Sequence, residues 1–164
     1  MNKLIETIDL TKVYGEKETS VTALNSITTA FNENQFTAIM GPSGSGKSTL
    51  LHCLAGLDKV TSGSILINGI DLASLNDKEL TKMRRDSFGF VFQAFNLIPT
   101  LTAEENITLP SSIAGRKPED EWVEQVIDAM DIGDRLGHRP NELSGGQQQR
   151  VAAARAMASK PEVI

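Results

Sequence analysis

The sequence predicts an α/β domain with antiparallel strands in front, a strand–glycine turn–helix unit behind them, and a strand-free helical stretch before a last helix. Three observations predict it. An apolar run, Phe36-Thr37-Ala38-Ile39-Met40, leads into the glycine-rich Gly41-Pro42-Ser43-Gly44-Ser45-Gly46-Lys47-Ser48-Thr49 and then into the helix former Leu50-Leu51-His52-Cys53-Leu54-Ala55. Asn68-Gly69, flanked by apolar residues, is a hairpin-turn signal. From about residue 95 to about 140, apolar residues recur at helical rather than alternating spacing.

Taken in order, Leu4 to Leu10 alternates loosely and predicts an edge strand. The polar loop Gly15 to Ser20 separates it from a second strand, Ala23 to Phe31, with Ile27, Thr29 and Phe31 on one face. Asn32-Glu33-Asn34 turns the chain into a buried strand over Phe36–Met40. The following helix ends near Gly56, which suits a helix C-cap. Ile65-Leu66-Ile67 and the Asn68-Gly69 turn complete the front part.

Asp77 to Arg85 predicts a helix, and Phe88-Gly89-Phe90-Val91-Phe92 a buried strand running into Gln93. Thr102-Ala103-Glu104-Glu105 is a capping box that opens a helix to about Leu109. Pro118 suits a first helical position, and Trp122, Val123, Val126, Ile127 and Met130 share one face of the next helix. That placement assigns Trp122 to the core rather than to a stacking platform. Val151 to Ala158 is rich in alanine and arginine, which favours a helix, closed by Lys160-Pro161. Glu162-Val163-Ile164 reads as the start of a further strand. The expected organisation is one domain over 1–164, divided into an N-terminal β and phosphate-loop core (1–93), a helical subdomain (94–143), and a final helix with the start of the next strand (144–164).

With 164 residues the chain is long enough for one domain with a real core. It is 40% hydrophobic and 23% charged, with a net charge of −5, which leaves no basic footprint for nucleic acid. No apolar run reaches the ~20 residues that cross a bilayer. The single cysteine, Cys53, excludes an internal disulfide and suits a reducing, cytosolic setting. Its place inside a helix reads as a small packed side chain rather than a nucleophile.

Gly41 to Ser48 fits the pattern G-x-x-x-x-G-K-[ST], in the strand-to-helix context that this phosphate-binding pattern needs. Gly41, Gly44 and Gly46 let successive backbone N–H groups point into one anion-sized hollow. The helix beginning near Lys47 aims its positive dipole end at the same place. Lys47 would reach the β- and γ-phosphates, and the Ser48 hydroxyl would ligate Mg²⁺. A glycine-rich turn without a ligand is the bland alternative, and both flanks argue against it.

Ser144 followed by Gln147 is another capping box. Two adjacent glycines at a helix start, Gly145 and Gly146, each cost roughly 1 kcal/mol relative to alanine, which makes sense where backbone N–H groups must approach an anion. Leu143-Ser144-Gly145-Gly146-Gln147 resembles the L-S-G-G-Q signature of the ATP-binding-cassette (ABC) ATPases. The phosphate loop about a hundred residues upstream and Gln93 between the two match that family in order and spacing. The resemblance covers essentially the whole chain and implies a P-loop NTPase mixed sheet with antiparallel N-terminal strands and a helical signature subdomain.

The resemblance also implies roles and partners. Tyr14 is similar to the aromatic that stacks on adenine, although a lone tyrosine after a strand also reads as a surface β residue. Gly41, Ser43, Gly44, Ser45, Gly46, Lys47, Ser48 and Thr49 match the phosphate loop. Gln93 resembles the glutamine that contacts Mg²⁺ and the attacking water. Ser144, Gly145, Gly146 and Gln147 resemble the signature that covers the γ-phosphate of ATP held by a second copy in a head-to-tail dimer. The implied cofactors are ATP and Mg²⁺. The implied cycle is ATP-driven closure, in-line attack by water, and reopening.

Phe92-Gln93-Ala94-Phe95-Asn96-Leu97-Ile98-Pro99-Thr100-Leu101-Thr102 together with Gly41–Gly46 is similar to the lipoprotein-release and macrolide- or peptide-export branch. That branch pairs its ATPase with a separate transmembrane permease. The expected location is therefore the cytoplasmic face of the cell membrane, reached only through the permease. Phe95, Leu97 and Ile98 suit either a groove for a permease helix or the helical core itself.

In the family, the pattern continues past Val163-Ile164 with an apolar strand ending in Asp and Glu, then a switch histidine. His52 and His138 stand in the wrong places to replace the latter. The expectation is thus a chain lacking its central strand and C-terminal part, able to bind phosphates but inactive alone. The alternative function is a hydrolysis-deficient nucleotide-binding or interaction module. About five absent core residues at roughly 1.5–3 kcal/mol each would leave the chain marginal against a total stability of about 5–15 kcal/mol.

Overall fold

A computed structural model describes residues 2–164. The chain is α/β, and its strands form one antiparallel sheet. β1 (Lys3–Tyr14) pairs with β2 (Val21–Asn32) on one side and with β3 (Ser62–Ile67) on the other, and β3 pairs with the short β4 (Ile70–Asp71). The sheet order is β2-β1-β3-β4, so the first strand is internal, not the edge strand expected from its loose alternation.

That loose alternation has a backbone cause. Asp9 and Ser26 both adopt positive φ (47° each), and the β1–β2 register slips between Thr7 and Leu10. Gly63 lies against this bulge with φ +82°, where a Cβ would sit 2.4 Å from the Asp9 carbonyl oxygen. Only glycine lets β3 pass so close to a bulged neighbour. Thr7, fully buried, donates its hydroxyl to the Ile27 carbonyl (2.9 Å) and accepts from the Thr29 N–H (3.0 Å), which closes the gap in the ladder. Asn68 and Gly69 both have positive φ, as a two-residue hairpin turn requires.

The described residues also hold the α-helices α1 (Lys47–Leu54), α2 (Asp77–Ser87), α3 (Ala103–Ile113), α4 (Asp120–Ala129) and α5 (Gly145–Ala158). Gly56, at φ +64°, ends α1 as expected. α3 continues through Pro110 rather than stopping near Leu109. Pro110 removes only one backbone donor, and Ile107 and Ser111 on either side of it are buried. Pro118 precedes α4 by two residues instead of opening it.

The chain divides into two compact units, Met1–Thr81 and Lys82–Ile164. The first has a core of Ile5, Leu10, Leu24, Cys53, Leu54, Ile65 and Ile67. The second is built on Ala103, Ile107, Val123, Val126, Ile127, Val151 and Ala154, with Trp122 and Met130 packed against them, so the helical face of α4 is core. Ala154 and Ala158 of α5 present small side chains at this interior, and Ala152 and Ala156 are buried as well.

Two expected strands do not form ladders. Phe36–Met40 is irregular, with Phe36 99% and Met40 86% exposed. Phe88–Phe92 is extended, its Phe88, Phe90 and Phe92 rings stacked at 6.0 and 5.9 Å, yet it has a single parallel bridge, Phe88 to Val163. Phe88 is buried, whereas Val91 and Phe92 are exposed. Glu162–Ile164 meets this run at that bridge, the Val163 N–H donating to the Ser87 carbonyl (3.0 Å) and the Gly89 N–H donating to the Val163 carbonyl (2.8 Å). A strand of a parallel sheet draws its hydrogen bonds from segments far away in sequence. Among the described residues neither run has such a ladder neighbour, and apolar content alone does not supply one.

Candidate functional site

In the first unit, the glycine-rich loop leaves β2 through the irregular 36–40 segment and ends on α1. Gly44 and Gly46 take φ of +80° and +85°. A Cβ at Gly46 would sit 2.4 Å from the Ala23 carbonyl oxygen and 3.2 Å from Leu24, so glycine lets the loop seat on β2. Gly46 is also the N-cap of α1 and brings no side-chain acceptor, which leaves the first N–H groups of the helix to face an anion.

The Lys47 ammonium donates to the carbonyls of Gly41 (2.8 Å) and Pro42 (2.7 Å) and lies 3.4 Å from the Ser45 hydroxyl. The lysine thus arches back over its own loop. Gly41, Pro42, Ser43, Gly44, Ser45 and Ser48 are exposed, and Thr49 is half-buried. Ser48 adjoins Lys47 in the first turn of α1, an oxygen donor of the kind Mg²⁺ accepts.

Tyr14 ends β1 and is brought to this loop. Asp58 raises the pKa of the Tyr14 phenol, and the Thr49 side chain at the end of the loop pulls it the other way. The phenol donates to Asp58 Oδ2 (2.5 Å), while Lys12 donates to Asp58 Oδ1 (2.7 Å) and to the Lys59 carbonyl (2.7 Å). The Lys12 ammonium lies 4.6 Å from the Tyr14 ring centroid. The hydrogen bond from Lys12 holds the Asp58 carboxyl below its ordinary range, with the Tyr14 bond adding to it. The same carboxylate raises Lys12 and Tyr14. Cys53 behind this cluster is fully buried, and burial pushes its thiol up, as befits a packed rather than a reactive cysteine.

In the second unit, Gln93 is exposed at a turn closed by the Phe95 N–H donating to the Phe92 carbonyl (3.0 Å). Phe95 and Asn96 both have positive φ, 59° and 48°. Arg155 of α5 grips this strained pair, one guanidinium nitrogen donating to the Phe95 carbonyl (2.7 Å) and another to that of Asn96 (2.6 Å). Leu97 packs on the helical core, Phe95 is half-buried and Ile98 is exposed.

Ser144 caps α5: its hydroxyl accepts from the Gln147 N–H (3.3 Å), and the Gln147 side chain accepts from the Ser144 N–H (2.8 Å). Gly145 and Gly146 have nothing within 4 Å of an added Cβ and no positive φ. The fold of this chain therefore gives no steric reason for either glycine.

The structure thus brings Tyr14 and the phosphate loop together in one unit and places Gln93 and Ser144–Gln147 in the other. Sequence reasoning missed Lys12, Asp58 and Arg155. Lys12 was signalled by its position two residues before Tyr14 on the same strand face. Asp58 and Arg155 act through contacts that no local pattern announces.

Comparison with known proteins places the chain in a family. The family described as ABC transporter matches residues 24–164. An uncharacterized ABC transporter ATP-binding protein of Thermotoga maritima is 46% identical over 166 residues, all of this chain and 71% of that protein. The lipoprotein-releasing system ATP-binding protein LolD of Geobacter metallireducens is 45% identical, again over all of this chain and 74% of the relative. The macrolide export ATP-binding/permease protein MacB of Marinobacter nauticus is 46% identical over 98% of this chain, which spans only 25% of that longer protein. A dimeric structure of MJ0796, a bacterial ABC transporter cassette, superposes with a TM-score of 0.86 at 45% identity, covering 96% of this chain and 70% of the other. A second structure of the same cassette, bound to ADP and Pi, gives a TM-score of 0.85. This chain belongs to the ABC transporter family, as one of its ATP-binding cassettes.

Proposed function

We propose that this chain is the ATP-binding part of an export-type transporter and energises a separate membrane permease. The observation that carries the reading is the loop from Gly41 to Thr49. It combines left-handed glycines, a helix start with no side-chain cap and a lysine arched over the hollow. Backbone N–H groups of the loop would bind the phosphates, Lys47 would exchange its carbonyl partners for β- and γ-phosphate oxygens, and Tyr14 would stack on the base. Ser48 would ligate Mg²⁺, which when bound neutralises charge on the phosphates, and the family resemblance gives Gln93 a Mg²⁺-contacting role as well. Gln93 would also orient the attacking water.

Ser144 to Gln147 would cover the γ-phosphate held by a second copy in a head-to-tail pair. Two glycines that this chain's own packing does not require support that assignment. Relatives named for lipoprotein release and macrolide export support the export branch and its permease partner, with Phe95 and Ile98 beside Gln93 as the docking side chains. No helix among the described residues is long and apolar enough to cross a membrane. With a permease as partner, membrane attachment would run through it at the cytoplasmic face.

Titration of the intact protein with Mg-ATP tests the reading. Lys47→Ala should weaken binding roughly ten- to hundredfold, the loss of hydrogen bonds to a charged group. Ser144→Arg should leave binding intact and abolish ATP-dependent dimerisation. Unchanged affinity in Lys47→Ala, or undiminished dimerisation in Ser144→Arg, overturns the corresponding half of the proposal.

A further inference from the structure

Tyr14 is 40% exposed and ends a long strand, a position where a ring on an ordinary side chain would sample several rotamers. Here it is held from two directions. Its hydroxyl is bonded to Asp58, and the ammonium of Lys12 covers one face of the ring. Lys12 is itself almost fully buried and is fixed by a second acceptor, the Lys59 carbonyl. Asp58 belongs to the turn after α1: its N–H donates to the His52 carbonyl (3.2 Å), as does that of Leu57 (2.8 Å). The Thr61 N–H donates to Thr11 (2.9 Å), and the Val13 N–H donates to the Thr61 hydroxyl (2.9 Å), fastening the same turn to β1. α1 begins at Lys47. A chain of short contacts therefore runs from the Tyr14 ring through Asp58 to one end of α1, whose other end carries the phosphate loop.

We propose that Lys12 and Asp58 are positioning residues for the nucleotide base, holding the Tyr14 ring at a fixed distance from the phosphate loop with one ring face reserved for stacking. The inference rests on the assignment of Tyr14 as the base platform. Lys12 occupies one face, so a base stacks on the other. A ring already held needs no ordering on binding, so the pair contributes affinity by preorganisation rather than by touching nucleotide. The contribution is specific to ligands that carry a base. Inorganic tripolyphosphate uses the loop alone.

The test is calorimetric titration of the intact protein with Mg-ATP and with Mg-tripolyphosphate. Tyr14→Ala should weaken ATP roughly five- to hundredfold, the range for loss of base–aromatic stacking, and leave tripolyphosphate unchanged. Asp58→Asn, Lys12→Met and Tyr14→Phe, which keeps the ring but removes its tether, should each weaken ATP about three- to tenfold without affecting tripolyphosphate. Lys12→Arg should restore most of the loss, and Asp58→Asn combined with Tyr14→Phe should be no worse than either alone. If Tyr14→Ala leaves ATP binding unchanged, the platform assignment itself fails. If Tyr14→Ala weakens ATP while Tyr14→Phe, Asp58→Asn and Lys12→Met bind it as the unaltered protein does, or if those variants weaken tripolyphosphate equally, the positioning role is wrong and the trio only supports the fold.

Discussion

Asn106 and Ile98 exchange two hydrogen bonds: the Ile98 N–H donates to Asn106 Oδ1 (2.7 Å), and Asn106 Nδ2 donates back to the Ile98 carbonyl (3.2 Å). The same Nδ2 also approaches the carbonyls of Leu101 (3.3 Å) and Thr102 (2.9 Å). Asn106 is fully buried, so one side chain of α3 stands in for a strand partner and fixes the 98–102 loop ahead of its own helix. Asn106→Ala strips four bonds, takes the acceptor from the Ile98 N–H and leaves a void at a fully buried site. It should lower stability by about 2–4 kcal/mol, read as a shift in urea midpoint at unchanged slope.

Arg155 makes a second such anchor. Burial pulls its guanidinium below the ordinary arginine range, and it donates to the neutral carbonyls of Phe95 and Asn96. Both of those residues hold left-handed backbone, which without support relaxes. Arg155→Met should cost about 1.5–3 kcal/mol and speed hydrogen exchange at residues 93–97. Arg155→Lys should recover little, because an ammonium lacks the fixed planar fork whose two nitrogens reach the two carbonyls separately.

The glycines divide into two kinds with opposite expected outcomes. Gly46→Ala drives a methyl against the Ala23 carbonyl at a φ only glycine tolerates, and should cost at least about 1–2 kcal/mol and remodel the loop. Gly145→Ala has open space and no left-handed φ, so thermal stability should stay level or rise by up to ~1 kcal/mol. ATP-dependent dimerisation, by contrast, should fall in Gly145→Ala. Melting curves and sedimentation on the same samples check both.

The Lys12–Tyr14–Asp58 trio sets a window of pH stability. Asp58 titrates below its ordinary 3.8 in the folded chain, so its contribution is complete above that value and disappears as pH falls through the lowered pKa. Lys12 and Tyr14 are raised above 10.5 and 10.0, so theirs is complete below those values and disappears as pH climbs through the raised ones. Urea midpoints of the unaltered protein and Asp58→Asn should differ most on the plateau between about 4 and 10 and converge at both ends.

Local chemistry was readable in the sequence wherever its partners are near in the chain. The capping boxes at Thr102/Glu105 and Ser144/Gln147 form with both bonds, Asn68-Gly69 makes its turn, and Trp122, Val123, Val126 and Ile127 share the buried face that helical spacing gave them. What depends on distant partners was not readable. Phe36–Met40 and Phe88–Phe92 have strand composition without a ladder, and β1 proved internal because Ile65 and Ile67, some sixty residues later, pair along it. For the same reason Asp58, 44 residues from Tyr14, and Arg155, 60 from Phe95, carry no signature of their own.

The chain has one tryptophan, and its surroundings make it an optical gauge. The Trp122 indole N–H donates to the Met157 carbonyl (2.9 Å) in the last turn of α5, and the Lys160 ammonium stands 5.2 Å from the ring centroid. A cation beside the ring and a lost or kept indole bond both move emission wavelength and intensity. Light from Trp122 therefore reports on the far end of the helix that Ser144 begins, so a shift transmitted along α5 can be watched in the unlabelled protein.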